Sequence, residues 1–156
     1  MTGSQEATKK RRVGVMVPTG YELTDDQARI DPAAAHAYLT RSYWSPGIRL
    51  EKVTTAIENS FSVAVFHEGV QIALARVVSD FAVFAYLADV YVLEDHRSKG
   101  LAHAMVSHLQ AHPKLQGLRR WILFTRDAHE VYARSGWEPL DNPDRAMKLD
   151  FPDAFS

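Results

Sequence analysis

Apolar side chains recur along this chain in two rhythms, and each change of rhythm marks an element boundary. Residues 21–24 read as a short first strand. Asp31-Pro32 supplies a helix start, with the carboxylate at the N-cap and the proline ring already near helical φ at the next position. That helix is expected over residues 33–41, ending near Trp44 and before Pro46-Gly47. A second helix over residues 49–59 puts Leu50, Val53 and Ile57 on one face. The period then drops to two. Residues 61–66 and 70–79 read as a β-hairpin turning at Glu68-Gly69, with Val70, Ile72, Leu74, Arg76 and Val78 on one face of the second arm. Arg76 interrupts that apolar series, so it is either paired or at the mouth of a cleft. Residues 82–93 form a third long strand, apolar on both faces apart from Asp89, as a central strand is.

The end of that strand leads into a polar turn carrying Arg97, Lys99 and Gly100, and then into a helix with Leu101, Met105 and Leu109 on one face. The helix stops before Pro113, which disfavours helical geometry at His112. Residues 120–125 read as another strand. Asp127 and Glu130 have the spacing of a capping box, opening a short helix over residues 128–135 that ends at Gly136. Two late strands, residues 137–140 and 146–149, are expected around a turn at Asn142-Pro143. Residues 1–20, with Lys9, Lys10, Arg11 and Arg12, read as a solvated N-terminal tail, and residues 151–156 as a C-terminal tail. Between them, residues 21–150 form one domain. The order β-α-α-β-β-β-α-β-α-β-β predicts an α/β fold, a central mixed sheet flanked by helices.

Composition narrows the chemistry mostly by exclusion. A chain of 156 residues, 46% hydrophobic and 24% charged, fits one domain with a real core. A net charge of −1 gives no reason to expect nucleic-acid binding. The absence of cysteine excludes disulfides, thiolate metal sites and a cysteine nucleophile, and fits a cytoplasmic, reducing compartment. The longest apolar run, residues 81–88, is far short of the roughly 20 residues that a membrane span needs. No apolar segment follows residues 1–5, so no signal peptide is expected. The seven histidines show no metal-ligand spacing. Both glycine-rich nucleotide loops, G-x-G-x-x-G and G-x-x-x-x-G-K-[ST], are missing.

The turn at residues 97–102 is where chemistry concentrates. A helix N-terminus carries about half a positive charge and unpaired N–H donors. Gly100 lacks a Cβ, Ala102 is small, and Arg97 and Lys99 add charge, so an anion can approach the backbone. Six residues alone would equally suit a well-capped turn with exposed basic side chains.

Arg97-Ser98-Lys99-Gly100-Leu101-Ala102 resembles the R/Q-x-x-G-x-G/A signature of the GCN5-related N-acetyltransferases (GNAT), placed after a strand and opening a helix. Residues 127–137 resemble the second signature of that family, with Tyr132 four residues before Gly136, and Trp137 where the family usually has Phe. The resemblance implies a GNAT-like acyl-CoA N-acyltransferase fold and acetyl-CoA as cosubstrate. It implies a pyrophosphate site on Arg97, Ser98, Lys99, Gly100, Leu101 and Ala102, and a pantetheine arm against Tyr91 and Val92. A backbone N–H in the Tyr91 and Val92 region would bind the oxyanion, and Tyr132 would be the general acid for the leaving thiolate. The family does not fix the base. Asp89, a lone carboxylate in a buried-looking strand, is the first candidate, unless it serves only as partner to Arg76; Asp80 is the next. Tyr43 and Trp44 either wall the acceptor site or pack on the sheet. The acceptor is expected to be a small-molecule or peptide amine, attacking directly in a ternary complex. A homodimer through sheet edges or late strands also follows from the resemblance. The competing reading is an acetyl-CoA-binding sensor without turnover.

Overall fold

Five strands lie in one sheet in chain order: β1 (Tyr21–Thr24), β2 (Phe61–His67), β3 (Val70–Ser79), β4 (Phe84–Val92) and β5 (Arg120–Ile122). This computed structural model describes residues 16–155, so the basic cluster at residues 9–12 lies outside the described residues. β1 to β4 are antiparallel neighbours, whereas β5 joins β4 in parallel after the crossover helix α3 (Leu101–Ala111). The sheet is therefore mixed, as expected.

Helices cover both faces. α3 lays Leu101, Met105, Val106 and Leu109 on Val63, Val65, Ala73, Ala75, Val77 and Leu87. On the other face α1 (Pro32–Leu39) and α2 (Leu50–Glu58) pack Ala35, Leu39, Val53 and Ile57 on Ala64, Leu74 and Tyr91. This explains why β2 and β3 are apolar at nearly every position: each alternate residue meets a helix. Each fully buried Leu contributes about 1.5–3 kcal/mol relative to an exposed one. α1 starts where Asp31 Oδ1 accepts from the N–H groups of Ala33 and Ala34, at 3.0 and 3.2 Å. Leu50 opens α2 but stays exposed, leaving Val53 and Ile57 to make its buried face.

Three expectations are corrected. Neither late strand forms: residues 137–140 and 146–149 join no ladder. Pro139 sits inside the first of them and has no N–H to give to one. The capping box does not form either. Helix α4 (His129–Ala133) has no side-chain cap, the Ala128 N–H is taken by Thr125 Oγ1 at 3.0 Å, and Asp127 lies 3.7 Å from Arg126. Finally, β5 is three residues long, because β4 and β5 part after Tyr86↔Ile122. Among the described residues, no helix is long and apolar enough to cross a membrane, and no three His, Asp or Glu gather as a metal site.

Candidate active site

The candidate site lies where β4 and β5 part, after Tyr86↔Ile122. β3 and β4 are in register at Leu74↔Tyr91 and again at Arg76↔Ala88. Two steps along β3 therefore face three along β4, which is a β-bulge on β4. Asp89 lies inside it at φ 42°, a left-handed conformation that Asp tolerates better than most side chains. Beyond the bulge, the Leu93 N–H bonds to Ile72 O at 2.9 Å. By strand alternation, Val92 turns its N–H and C=O to the opposite edge. β5 does not reach that far, so the Val92 N–H has no strand partner there. The Val92 carbonyl accepts from Arg97 Nε at 2.9 Å.

Arg97 thus ties the strand end to the turn that follows. Its Nη2 also donates to the Tyr38 hydroxyl at 3.1 Å and stands 4.0 Å from Glu94. Arg41 pairs with Glu94 through both carboxylate oxygens, at 2.6 and 3.1 Å, and this holds the Glu94 carboxyl down to about 2. The turn has two left-handed residues, Ser98 at φ 63° and Gly100 at φ 75°. Gly100 is the N-cap of α3, and no side chain caps the helix. The first intrahelical acceptor, Gly100 O, serves Ala104, so the N–H groups of Leu101, Ala102 and His103 point out of the helix end. A Cβ at Gly100 would meet no protein atom within 4 Å, so the space above the loop is open. Lys99 is exposed beside it. Uncapped donors, positive end charge and open space fit a pyrophosphate.

Tyr91 differs from expectation in its side chain. It is buried under α1, stacked on Tyr38 at 4.3 Å and 8°, so only its backbone is available to the edge. Burial pushes its phenol up to about 12. Its hydroxyl has no hydrogen-bond partner; neighbouring Gln71 spends both ends of its amide on the Asp31 backbone.

At the bulge, Asp89 is both anchor and anchored. Its Oδ2 accepts from Arg76 Nε at 2.8 Å and its Oδ1 from Trp44 Nε1 at 2.9 Å. Arg76 also donates to Ser60 Oγ at 2.9 Å, so the residue that broke the apolar series is paired. Trp44 carries the segment after α1 to the bulge, and Tyr43 packs edge-on against it at 5.1 Å. The Tyr43 hydroxyl accepts the Arg126 N–H at 3.3 Å, and the Arg126 guanidinium lies 4.0 Å from the centre of its ring. Tyr132, partly buried on α4, packs edge-on with Trp137 at 6.1 Å. Burial raises its phenol pKa, and the nearby Tyr43 raises it further, so Tyr132 is a protonated phenol at neutral pH. The structure thus gathers Trp44 and Asp89 at the bulge, with Tyr43 packed on Trp44. Asp80 is elsewhere: its Oδ1 accepts the N–H groups of Ala82, Val83 and Phe84, which lowers its pKa and makes it the keystone of its own turn.

Sequence reasoning passed over Tyr38, Tyr86 and Arg126. The pairs Arg76↔Ala88 and Val78↔Tyr86 put Tyr86 on the same sheet face as Arg76, and its phenol is raised by burial and by the Asp89 charge. Nothing in the run at residues 81–88 distinguishes Tyr86 from a core aromatic; its neighbours are set by the register of β3 against β4.

A family model for the acetyltransferase (GNAT) family matches residues 21–137. The chain belongs to that family. A GNAT-family protein of Xanthomonas campestris pv. campestris is 40% identical, with a TM-score of 0.84 over 90% of this chain and 99% of that one. A structure from Clostridium acetobutylicum, named a "predicted acetyltransferase with acetyl-CoA", shares the fold at 17% identity, with a TM-score of 0.62 over 90% of this chain and 100% of that one. A Gibberella zeae protein named a "putative acetyltransferase" is 35% identical over 68 residues. That match takes in 42% of this chain and spans little more than a third, 37%, of the relative's length. In this GNAT chain the two signature segments, residues 97–102 and 127–137, follow the ends of β4 and β5, the strands that part after Tyr86↔Ile122.

Proposed function

We propose that the chain transfers an acetyl group from acetyl-CoA to a primary amine by direct attack in a ternary complex. The observation that carries this reading is the pairing of an uncapped helix N-terminus with an open strand edge only a few residues away, at Leu101 and Val92. The first suits the pyrophosphate, held by the N–H groups around residues 98–102 with Lys99 beside them. The second suits the thioester: an extended pantetheine can pair with the free edge of β4 as a further strand would.

In this reading the amine nitrogen attacks the thioester carbonyl, and the oxyanion that forms accepts from the Val92 N–H. The C–S bond then breaks, and the thiolate takes the proton of the Tyr132 hydroxyl. A lysine-like amine has a pKa of about 10.4 and must lose a proton to react. Asp89 is proposed to take it, and the second proton that the nitrogen sheds on becoming an amide returns to the Tyr132 oxygen. An ionised carboxylate has about four lone-pair sites, and Trp44 and Arg76 use two of them, so the group can still accept from an amine. Tyr43 and Trp44 flank that position. Arg97 is assigned to positioning, since its donors already hold Val92 and Tyr38. Asp80 has no part, being committed to its turn. A homodimer belongs to the same proposal: Met147, Leu149 and Phe151 alternate with Lys148 and Asp150 and are highly exposed, Met147 at 96%, a strand-like apolar face awaiting cover. Sedimentation of the full chain tests it; a monomer at all concentrations removes it.

Calorimetric titration with acetyl-CoA, followed by a thiol-release screen over amines, tests the central reading. Release of CoA with formation of the N-acetyl product supports transfer. Tight acetyl-CoA binding without turnover on any amine supports a sensor instead, and no binding removes both.

A further inference from the structure

The sheet face that carries the site is only half covered. Leu74, Arg76 and Val78 share one face of β3, and through Leu74↔Tyr91, Arg76↔Ala88 and Val78↔Tyr86 the same face of β4 carries Tyr91, Ala88, Tyr86 and Phe84. α1 and α2 bury Leu74 and Tyr91 but stop at the Arg76–Asp89 pair. Beyond it Val78 and Phe84 are exposed and Tyr86 is partly so. Phe124, 70% exposed, stands with its ring 5.9 Å from that of Tyr86, at 73°. Tyr43 joins the same end through its bond to Arg126. The result is an apolar trough floored by Val78, Phe84 and Tyr86, flanked by Phe124 and Tyr43, and closed at its inner end by Trp44 and Asp89.

Five exposed or half-exposed aromatic and apolar side chains running into a polar dead end ask for a ligand with one polar tip and an apolar body. The charges at that end cancel: Arg76 is matched by Asp89, and Arg126 lies 3.7 Å from Asp127. Asp80, at the outer end, turns Oδ1 into its own loop. Between the two ends, Val78, Phe84, Tyr86 and Phe124 present no carboxylate to a second or third positive charge on the acceptor. We propose that this trough is the acceptor subsite and that it selects a primary amine borne on an aryl group by a short alkyl arm, with the amino group at Trp44 and Asp89 and the ring over Phe84, Tyr86 and Phe124. The proposal rests on the acetyl-transfer reading above, which supplies the reason for an amine to be there.

The test compares kcat/KM for 2-phenylethylamine, ethanolamine and putrescine by thiol release, in the parent protein and in Phe84→Ser and Phe124→Ser. Both residues are exposed, and the melting temperature and acetyl-CoA affinity of each variant check its integrity. The parent is expected to favour 2-phenylethylamine over ethanolamine by at least about tenfold, the scale on which an apolar pocket discriminates. Each variant is expected to reduce that ratio several-fold, chiefly through KM. A preference for putrescine, or a ratio unmoved in both variants, overturns the trough while leaving acetyl transfer standing. A parent dimer that either substitution dissolves also overturns it, since the face is then covered by a second copy. If acetyl-CoA does not bind to the parent, the underlying reading falls, and the trough as an acceptor site with it.

Discussion

Replacing Asp89 with Asn separates what the bulge needs from what the charge supplies. Asn tolerates φ 42° at least as well as Asp, so the backbone is not the variable. Its amide oxygen can still accept from Trp44 Nε1, but its NH2 then faces Arg76 Nε donor to donor. The Arg76 and Asp89 side chains are 15% and 11% exposed, so the guanidinium is left largely desolvated with only Ser60 Oγ as partner. Breaking a fully buried pair costs about 3–5 kcal/mol. The remaining exposure and the Ser60 bond place this pair at or below the lower end, about 2–3 kcal/mol. At about 2–4 °C per kcal/mol for a domain of this size, the melting temperature is expected to fall by about 4–12 °C. Adding Arg76→Met removes the stranded cation, so the double variant is expected to be more stable than the sum of the two single losses predicts. Differential scanning calorimetry of the four proteins measures this. An Asp89→Asn protein melting within about 1 °C of the parent, or strictly additive losses, refutes the argument that the pair holds the bulge. Turnover adds a second reading: as proton acceptor, Asp89 is lost with its charge, and added Arg76→Met does not restore the rate even where it restores stability.

Other outcomes follow from single groups. Tyr132→Phe is expected to lower kcat by about a hundredfold or more with acetyl-CoA affinity little changed, the scale of general acid catalysis; thiol release unchanged with a good acceptor removes the assignment. Gly100→Ala meets no protein atom but must hold φ 75°, which costs roughly 1–2 kcal/mol for a residue with a Cβ, and the methyl group projects into the space above the loop. Calorimetry is expected to show acetyl-CoA bound at least about tenfold more weakly, and unchanged affinity refutes the pyrophosphate site. His112 lies against Asp25 at 3.2 Å, and its Nδ1 accepts the Lys114 N–H at 3.1 Å. Burial lowers its pKa and outweighs the opposing pull of Asp25, so the folded state favours the neutral ring. A depressed folded pKa contributes stability above the unfolded value of about 6.5, lost as pH falls through it toward the folded value. The melting temperature is therefore expected to decline from pH 7.5 to 5, and His112→Asn to flatten that decline; an identical slope in the variant excludes His112 as its source.

The proposed chemical centre was legible because it is written in short-range terms. Gly100 at a helix start, the basic turn around it, and Tyr132 four residues before Gly136 are spacings within one element and its flanks. α3 was read to its ends because Gly100 and Pro113 punctuate it, whereas α1 was placed by its Asp31-Pro32 start but ends at Leu39, short of residue 41. Asp89 and Arg76 announced themselves as the charged residues in apolar strands, but only the antiparallel register of β3 and β4 brings them to 2.8 Å.

The expectations that failed depended on where the chain lies in space. The late strands alternate as strands do, yet no edge comes to meet them, and Pro139 denies one of them a donor. Asp127 and Glu130 have the right spacing for a cap, but Thr125 reaches the Ala128 N–H and Asp127 stands beside Arg126. By itself, the sequence determined most of the elements, the glycine-bearing basic turn before α3 and the family, because periodicity, capping and glycine placement act over a few residues. Tertiary structure alone decided that β4 bulges at Asp89 and parts from β5 after Tyr86, that Tyr91 faces a helix, and that an aromatic trough stays uncovered. These depend on strand register and on how far each helix extends over the sheet, and neither is set by neighbours along the chain.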